Sequence, residues 1–503
     1  MAVRMTGMIS GMDTESLIQS MLEAQKSKNK KTTDKKTKLE WTQEKWKELN
    51  TKLYKLYTDQ VSKLSLQGSY GTKKVSCTDE SKVKISANSN APLGSQSLKI
   101  NHLATAGYLT GAEITATTVT SSTKLAELGV ESGPEGTTIK LKIGGETGET
   151  KDIQVTSETT VGDFLSSLQS AGVNASLDAT NHRIFISSKK SGSADNFSFD
   201  ETEGEGEDGN AILNALGISG HSQGSYKIDG QDAEFTLNGA DFTSASNEAT
   251  VNGVTLTLTG TTSDTEEIHF TVTNDTDAVY NTIKEFVKEY NSILEEMNTL
   301  YYADSSRGYD PLSDDEREAM SETDIEKWET KIKDSLLRRD TTLGSLLTSM
   351  RSILQQTVTV DGKSYSMSNF GVSTSSAYTE KGKLHIYGDA DDDTYSDEEN
   401  DLKAALESDP DTVMQVFSGI MKEFSSVMKD KMKKIDNVSS ALTFYNDVTL
   451  KNQLIDLNKQ IAEEEDKLID IEDKYYKQFA AMETALSKLQ SQESAIAGFF
   501  NSY

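Results

Sequence analysis

Proline is nearly absent from this chain, with four residues among 503, at 92, 134, 311 and 410. That excludes a proline-rich stalk. A single cysteine, Cys77, rules out an internal disulfide, and no CxxC accompanies it. The five histidines, at 102, 182, 221, 269 and 385, show neither HExxH nor a Cys/His ligand spacing, so no metal site is expected. Basic charge is also in short supply. Against 80 Asp and Glu stand 51 Lys and Arg, a formal net charge of −29 that argues against holding nucleic acid by its phosphates. No window approaches the roughly 18 apolar residues of a membrane span, so no membrane role is expected. The stretch from Met1 to Met8 lacks the apolar core of a secretory signal. Taken alone this reads as cytoplasmic, although export without a cleaved signal leaves the same trace.

What is present begins with helical periodicity at both ends. Asp13 or Thr14 is placed to cap a helix whose first turns carry Leu17, Ile18, Met21 and Leu22. Residues 23–38 are almost wholly polar and rich in lysine, which reads as a solvated or disordered face. Leu39, Trp46 and Leu53 then recur seven apart, with Leu49 and Leu56 in the companion positions. The C-terminal pattern is longer: Leu454, Ile461, Leu468, Tyr475, Met482, Leu489 and Ile496 keep a seven-residue spacing. Leu450, Leu457, Ile471, Ala485 and Phe499 occupy the second core position, which Glu464, Gln478 and Gln492 interrupt. A helix from 454 to 496 would span roughly 65 Å. Its polar core positions suit a helix that changes partners better than a permanent zipper. Residues 1–64 carry a net charge of +5 and residues 450–503 a net charge of −4, so the ends are plausible partners within or between chains.

The middle changes period from 3.6 to 2. Ile139, Leu141 and Ile143 alternate with lysines, Gly144-Gly145 marks a turn, and Ile153 and Val155 resume. A short helix through Val161, Phe164, Leu165 and Leu168 precedes strands at Val173–Leu177 and Ile184–Ile186. An acidic run, 200–208, reads as a linker. Beyond it, Tyr226/Ile228, Phe235/Leu237, Val254/Leu256/Leu258 and Ile268/Phe270/Val272 alternate, which predicts a second, mainly antiparallel sheet. Helical spacing returns with Val279, Ile283, Phe286, Tyr290, Ile293, Met297 and Leu300. Pro311-Leu312-Ser313 leads into a capping box closed by Glu316, with more helices near 325–337, 343–354 and 402–424.

The expected fold class is therefore α+β and multidomain, with a long terminal coiled-coil leg and helical belt and inserted mainly-β plate domains. The expected division is an N-terminal leg at 1–71, β-rich domains at 72–200 and 201–275, a helical belt at 276–448 and a C-terminal coiled-coil helix at 449–503.

No catalytic or cofactor pattern emerges. Neither GxSxG nor GxxxxGK[ST] occurs. Asp389, Asp391, Asp393 and Asp397 hold positions 1, 3, 5 and 9 of a calcium-type loop, but Thr394 stands where Gly is required and Asn400 where Glu is required. A solvated acidic loop is the simpler reading. Trp41, Trp46 and Trp328 lie on helical faces and read as packing residues.

Several stretches, in order, resemble one family, the flagellar hook-associated protein 2. They are Gly7-Met-Ile-Ser-Gly-Met-Asp13-Thr-Glu-Ser-Leu-Ile18, Gln231-Asp-Ala233, Ser246-Asn247 and Asn252-Gly-Val-Thr-Leu256. Phe286-Val-Lys-Glu-Tyr-Asn291, Asp310-Pro-Leu-Ser313, Trp328-Glu329, Gly382-Lys-Leu384, Val416-Phe417, Gln478-Phe479 and Met482-Glu483 follow. The acidic segment 388–400 is longer than the family pattern requires.

The resemblance implies a structural protein, without enzymatic activity or cofactor, that caps the growing tip of the bacterial flagellar filament. It implies export through the flagellar channel, a ring of its own copies, flagellin and the filament tip as partners, and a dedicated export chaperone. The cap would retain exported flagellin and promote its folding and insertion, with the terminal helices as legs. Self-assembly and filament contacts are then expected at Leu17, Ile18, Met21 and Leu22, and at Ile461, Leu468, Tyr475, Met482, Leu489, Ile496 and Phe499. A surface adhesin whose β domains bind host mucin or glycans is the alternative from another class.

Overall fold

A computed structural model describes residues 11–130, 136–200, 207–220, 222–375 and 377–500, and their side chains except at 146, 207, 208 and 498–500. The chain forms two compact units, one made of 1–70 with 276–503 and the other of 71–275.

The first unit is helical. Asp13 caps the N-terminal helix, Thr14–Lys55, by accepting from the Ser16 backbone N–H at 3.0 Å. Neither Gly nor Pro interrupts the following residues, and the helix runs through the lysine-rich stretch. The polarity of 23–38 therefore marks a solvated face on a continuous helix and not a break. A π turn at Leu56–Val61 and a last helical turn at Ser62–Leu64 complete it. Its second half contributes Trp46, Leu49, Leu53 and Leu56 to a core shared with helices Thr276–Tyr301, Thr341–Leu354 and Pro410–Lys431. Phe286 meets Phe424 edge-on there, with centroids 6.4 Å apart. The segment expected as one helix near 402–424 is two, Asp401–Ser408 and Pro410–Lys431. Pro410 has no N–H to continue the first helix but fits the opening position of the second, which Asp409 caps. Small hairpins at 358–365 and 372–386 close this core. The C-terminal helix, Asp447–Phe500, is the longest element.

The second unit contains two hydrophobic cores. In the first, five antiparallel strands run in the order Lys73–Cys77, Ile268–Asn274, Gly94–His102, Ala233–Leu237, Ala240–Ser244. A three-stranded sheet, Glu248–Val251, Val254–Leu258, Val83–Ala87, shares its core of Val83, Leu98, Ile100, Phe235, Leu256 and Phe270. Asn238-Gly239 and Asn252-Gly253 form its two-residue hairpin turns, all four residues at positive φ, as the strand twist demands. The second core contains Ile139, Leu141, Val155, Phe164, Leu168 and Ile184. Around it lie the sheet Tyr226–Ile228, Ala106–Thr110, Arg183–Ser191, Val173–Asp178 and the sheet Glu149–Val155, Thr137–Ile143, Phe197–Phe199. The helix Val161–Ala171 carries a Thr160/Asp163 capping box.

This arrangement corrects the expected split into 72–200 and 201–275. The segment from about 105 to 230 is nested inside the first sheet system, and Tyr226–Ile228 belongs with it. The two ends of the nested segment meet: Thr105 N–H donates to Gln231 O at 2.9 Å and Gln231 N–H to Thr105 O at 3.2 Å. Strand alternation identifies strands but not their neighbours, and here strands far apart in sequence pair because their apolar faces close one core.

Candidate functional site

The two terminal helices lie side by side, antiparallel. Glu15 meets the Tyr476 hydroxyl, Lys28 Nζ lies 3.7 Å from Glu464 Oε1, and the Phe444 N–H donates to Asn50 Oδ1 at 2.7 Å. The Lys28–Glu464 pair thus joins the oppositely charged chain ends within one chain. At the root of this leg, Trp46 stacks on Tyr445. Ile18 and Leu22 are buried towards its far end. Between Leu22 and Leu39 the only apolar side chain of the N-terminal helix is Ala24. Polar groups take the buried positions there: Thr32 on one helix and Glu464 on the other. The Gln460 amide hydrogen bond, helped by Thr32 and Lys28, holds the Glu464 carboxyl below its ordinary range against the effect of burial.

A charged belt grips the lysine run from the side. Lys38 Nζ reaches Asp310 Oδ1 at 2.6 Å, and Lys30 Nζ reaches the Pro311 carbonyl at 3.2 Å and Glu316 at 3.4 Å. The hydrogen bond from Lys38 depresses the Asp310 carboxyl, and that from the Ser313 backbone depresses Glu316. Trp328 packs against Tyr309 and donates from Nε1 to the Asp310 carbonyl at 2.9 Å, while Lys333 Nζ sits 4.6 Å above the Trp41 ring. Trp41, Trp46 and Trp328 all pack within this unit.

The residues expected to make assembly contacts divide into groups. Ile18 and Leu22 are buried in the leg, whereas Leu17 and Met21 face solvent. Ile461, Leu468, Tyr475 and Met482 are half-buried along the inner side of the C-terminal helix. Leu489 and Ile496 are 61% and 59% exposed, and every residue from Lys488 to Ala497 is exposed. Tyr476 already lies opposite the first turn of the N-terminal helix, so this end runs on past Thr14. The side chain of Phe499 lies outside the described residues. Ile455 and Ile469, which the heptad reading did not single out, are also exposed apolar residues of this helix. Their spacing of fourteen was the available signal.

The acidic segment 388–400 is folded back by specific partners. Lys284 Nζ holds Asp389 at 2.6 Å and Asp391 at 2.7 Å. His385, 1% exposed, has Nδ1 2.8 Å from Asp392 and Nε2 3.0 Å from Glu380. Burial opposes ionisation of Asp392, but backbone donors at Thr394 and Tyr395 together with His385 lower its pKa overall. Glu380 is lowered chiefly by the Ser375 hydroxyl, with His385 contributing. Among the described residues these carboxylates face Lys284, His385 and backbone N–H groups and do not converge on a shared centre. A cavity of ≈450 Å³ beside the π turn is walled by Lys55, Asp59, Lys63, Glu285 and Glu289, a lining that suits water better than an apolar ligand. Among the described residues no helix is long and apolar enough to cross a membrane.

An antiparallel leg from both chain ends, rooted in a helical core and interrupted by an inserted β unit, defines a class of structural assembly protein. The family model for the flagellar hook-associated protein 2 C-terminus matches residues 230–491, and that for its N-terminus matches residues 10–107. The chain belongs to the flagellar hook-associated protein 2 family. It is 29% identical to the flagellar hook-associated protein 2 of Halalkalibacterium halodurans, covering 99% of this chain and 100% of that one. It is 25% identical to that of Thermotoga maritima, covering 98% and 95%. The fold is similar to the crystal structure of the D1-D2-D3 domains of the flagellar cap protein FliD from Escherichia coli. That match has a TM-score of 0.53 and 20% identity, and covers 76% of this chain and 94% of that one. None of these relatives is described as an adhesin.

Proposed function

We propose that the two-helix leg is the part of a flagellar filament cap that engages the filament. The chain caps the distal end of the bacterial flagellar filament, outside the cell, and reaches it through flagellar export. It acts as an oligomer on flagellin, retaining exported subunits and promoting their folding and insertion. The role is structural and not catalytic, and a dedicated export chaperone accompanies the chain before secretion.

The observation that carries the leg assignment is the exposed continuation of the C-terminal heptads. Leu489 and Ile496 belong to the same series as the half-buried Leu468 and Met482, yet among the described residues no helix of the unit covers them. Large apolar side chains repeated on one exposed helix face are the pattern of a helix that docks elsewhere. The test is complementation of cells lacking the protein. The wild-type chain should restore full-length filaments and stop leakage of unpolymerised flagellin, whereas a chain ending at 480 should do neither. Normal filaments from the truncated chain would refute the assignment.

A further inference from the structure

The middle of the leg is more polar than the layers on either side of it. Glu464 is 2% exposed, and its Oε1 accepts from Gln460 Nε2 at 3.0 Å with Lys28 Nζ 3.7 Å away, while no donor reaches Oε2. The facing turns are equally polar. Gln25 donates to Asn29 at 3.0 Å, both half-buried, and the buried Thr32 hydroxyl donates back to the Lys28 carbonyl at 3.4 Å. Ile18 and Leu22 seal the leg on one side of this layer, and Trp46, Leu49 and Leu53 on the other.

An acceptor left unmet inside a seam costs free energy, and replacing such a group by an apolar side chain of similar volume is often stabilising. A polar residue at a core position does, however, fix register and orientation, because a shifted pairing would bury it against apolar side chains. The layer therefore specifies how the two helices pair while keeping the pair weak at its centre.

We propose that this polar layer is a release point, at which the C-terminal helix leaves the N-terminal helix and docks its own apolar heptad face on the filament subunit instead. The proposal rests on the cap reading above. Its foothold is the exposed stretch 488–497, which continues the same seam and is available before the layer opens. Opening from the far end parts Glu15 from Tyr476, and Ile18 and Leu22 from the half-buried Leu468, Tyr475 and Met482, before the polar layer is reached. The tightly packed root at Trp46 keeps the chain ends tethered.

The test uses the full-length protein with Glu464→Leu and the conservative Glu464→Gln. Hydrogen exchange at amides 20–36 and 457–471 should slow at least tenfold in Glu464→Leu and stay within twofold of wild type in Glu464→Gln. In cells lacking the native protein, Glu464→Leu should shorten filaments and release flagellin, and Glu464→Gln should not. Slower exchange with normal filaments would overturn the proposal, as would exchange that does not slow. Should Glu464→Leu fail to accumulate, Glu464→Met makes the same apolar replacement with a more flexible side chain and should move both readouts in the same direction. A photocrosslinker at Leu489 should capture flagellin, and capture of only a second copy of this chain would overturn the choice of occupant. Failure of the wild-type chain to restore filaments would sink the cap reading itself, before any variant is compared.

Discussion

Trp46 and Tyr445 stack with ring centroids 5.5 Å apart and planes 4° from parallel, joining the N-terminal helix to the turn that precedes the C-terminal helix. Both rings belong to the helical core, so the root of the leg and the core are one packed body. Replacing Trp46 by Ala removes a ring that is 2% exposed and should destabilise this unit by about 3–5 kcal/mol. A double-mutant cycle with Tyr445→Ala should show coupling of about 0.5–1.5 kcal/mol. Chemical denaturation followed by helix circular dichroism measures both, and additive single effects would mean the stack contributes nothing beyond its area.

The apolar residues of the leg should separate into two behaviours. Ile18→Asp and Leu22→Asp each place a charge inside the pair and should lower leg helicity in the monomer, because an unpaired buried charge costs several kcal/mol. Leu489→Asp and Ile496→Asp alter exposed positions and should leave the monomer's circular dichroism unchanged while impairing filament growth. Leu468→Asp and Met482→Asp, half-buried, should affect both. Filaments of normal length with Leu489→Asp and Ile496→Asp combined would remove the exposed end from the filament contact.

His385 bridges Glu380 and Asp392 inside the helical unit. His385→Ala leaves Glu380 and Asp392 without the imidazole that both contact and should cost about 1–3 kcal/mol. The acidic segment 388–400 should then exchange amide hydrogen faster, since Asp392 both meets His385 and accepts from the N–H groups of Thr394 and Tyr395. Unchanged protection across 388–400 would show that the backbone bonds suffice without the histidine.

Acid should loosen the same unit. Glu380, Asp392, Asp310 and Glu316 all have carboxyl pKa values below their ordinary ones in the fold. A depressed carboxyl stabilises the fold above its unfolded pKa and loses that contribution as pH falls through the folded value. Melting temperature should therefore drop below about pH 4 and stay nearly flat for these groups from pH 5 to 7. The Lys38→Ala variant, which removes the partner of Asp310, should lose less stability on acidification than wild type.

The nested β segment should be removable. Because Thr105 and Gln231 are hydrogen-bonded to each other, replacing 106–230 by a two-residue Asn-Gly link should leave the core of Leu98, Ile100, Phe235 and Phe270 folded. A shortened 71–275 fragment with a cooperative thermal transition confirms this, and a fragment that melts without one contradicts it.

The local signals along the chain were strong. Heptads from 454 to 496 specified the long helix, alternation at 139–143 and 268–272 specified strands, and Ser313 with Glu316 specified a capped start. Each depends on residues within one or two turns of each other, where side-chain direction and backbone capping act without the rest of the chain. The polar interruption at Glu464 was also visible, but not that Glu464 rather than Gln478 would be buried, because that depends on where the facing helix begins. Only the tertiary structure decided that the helical ends pair antiparallel in one chain, that Tyr226–Ile228 joins Ala106–Thr110, and that His385 sits between two carboxylates. Those outcomes are set by which faces, distant in sequence, bury the most apolar area together and satisfy the polar groups they enclose. No window of neighbouring residues contains that sum.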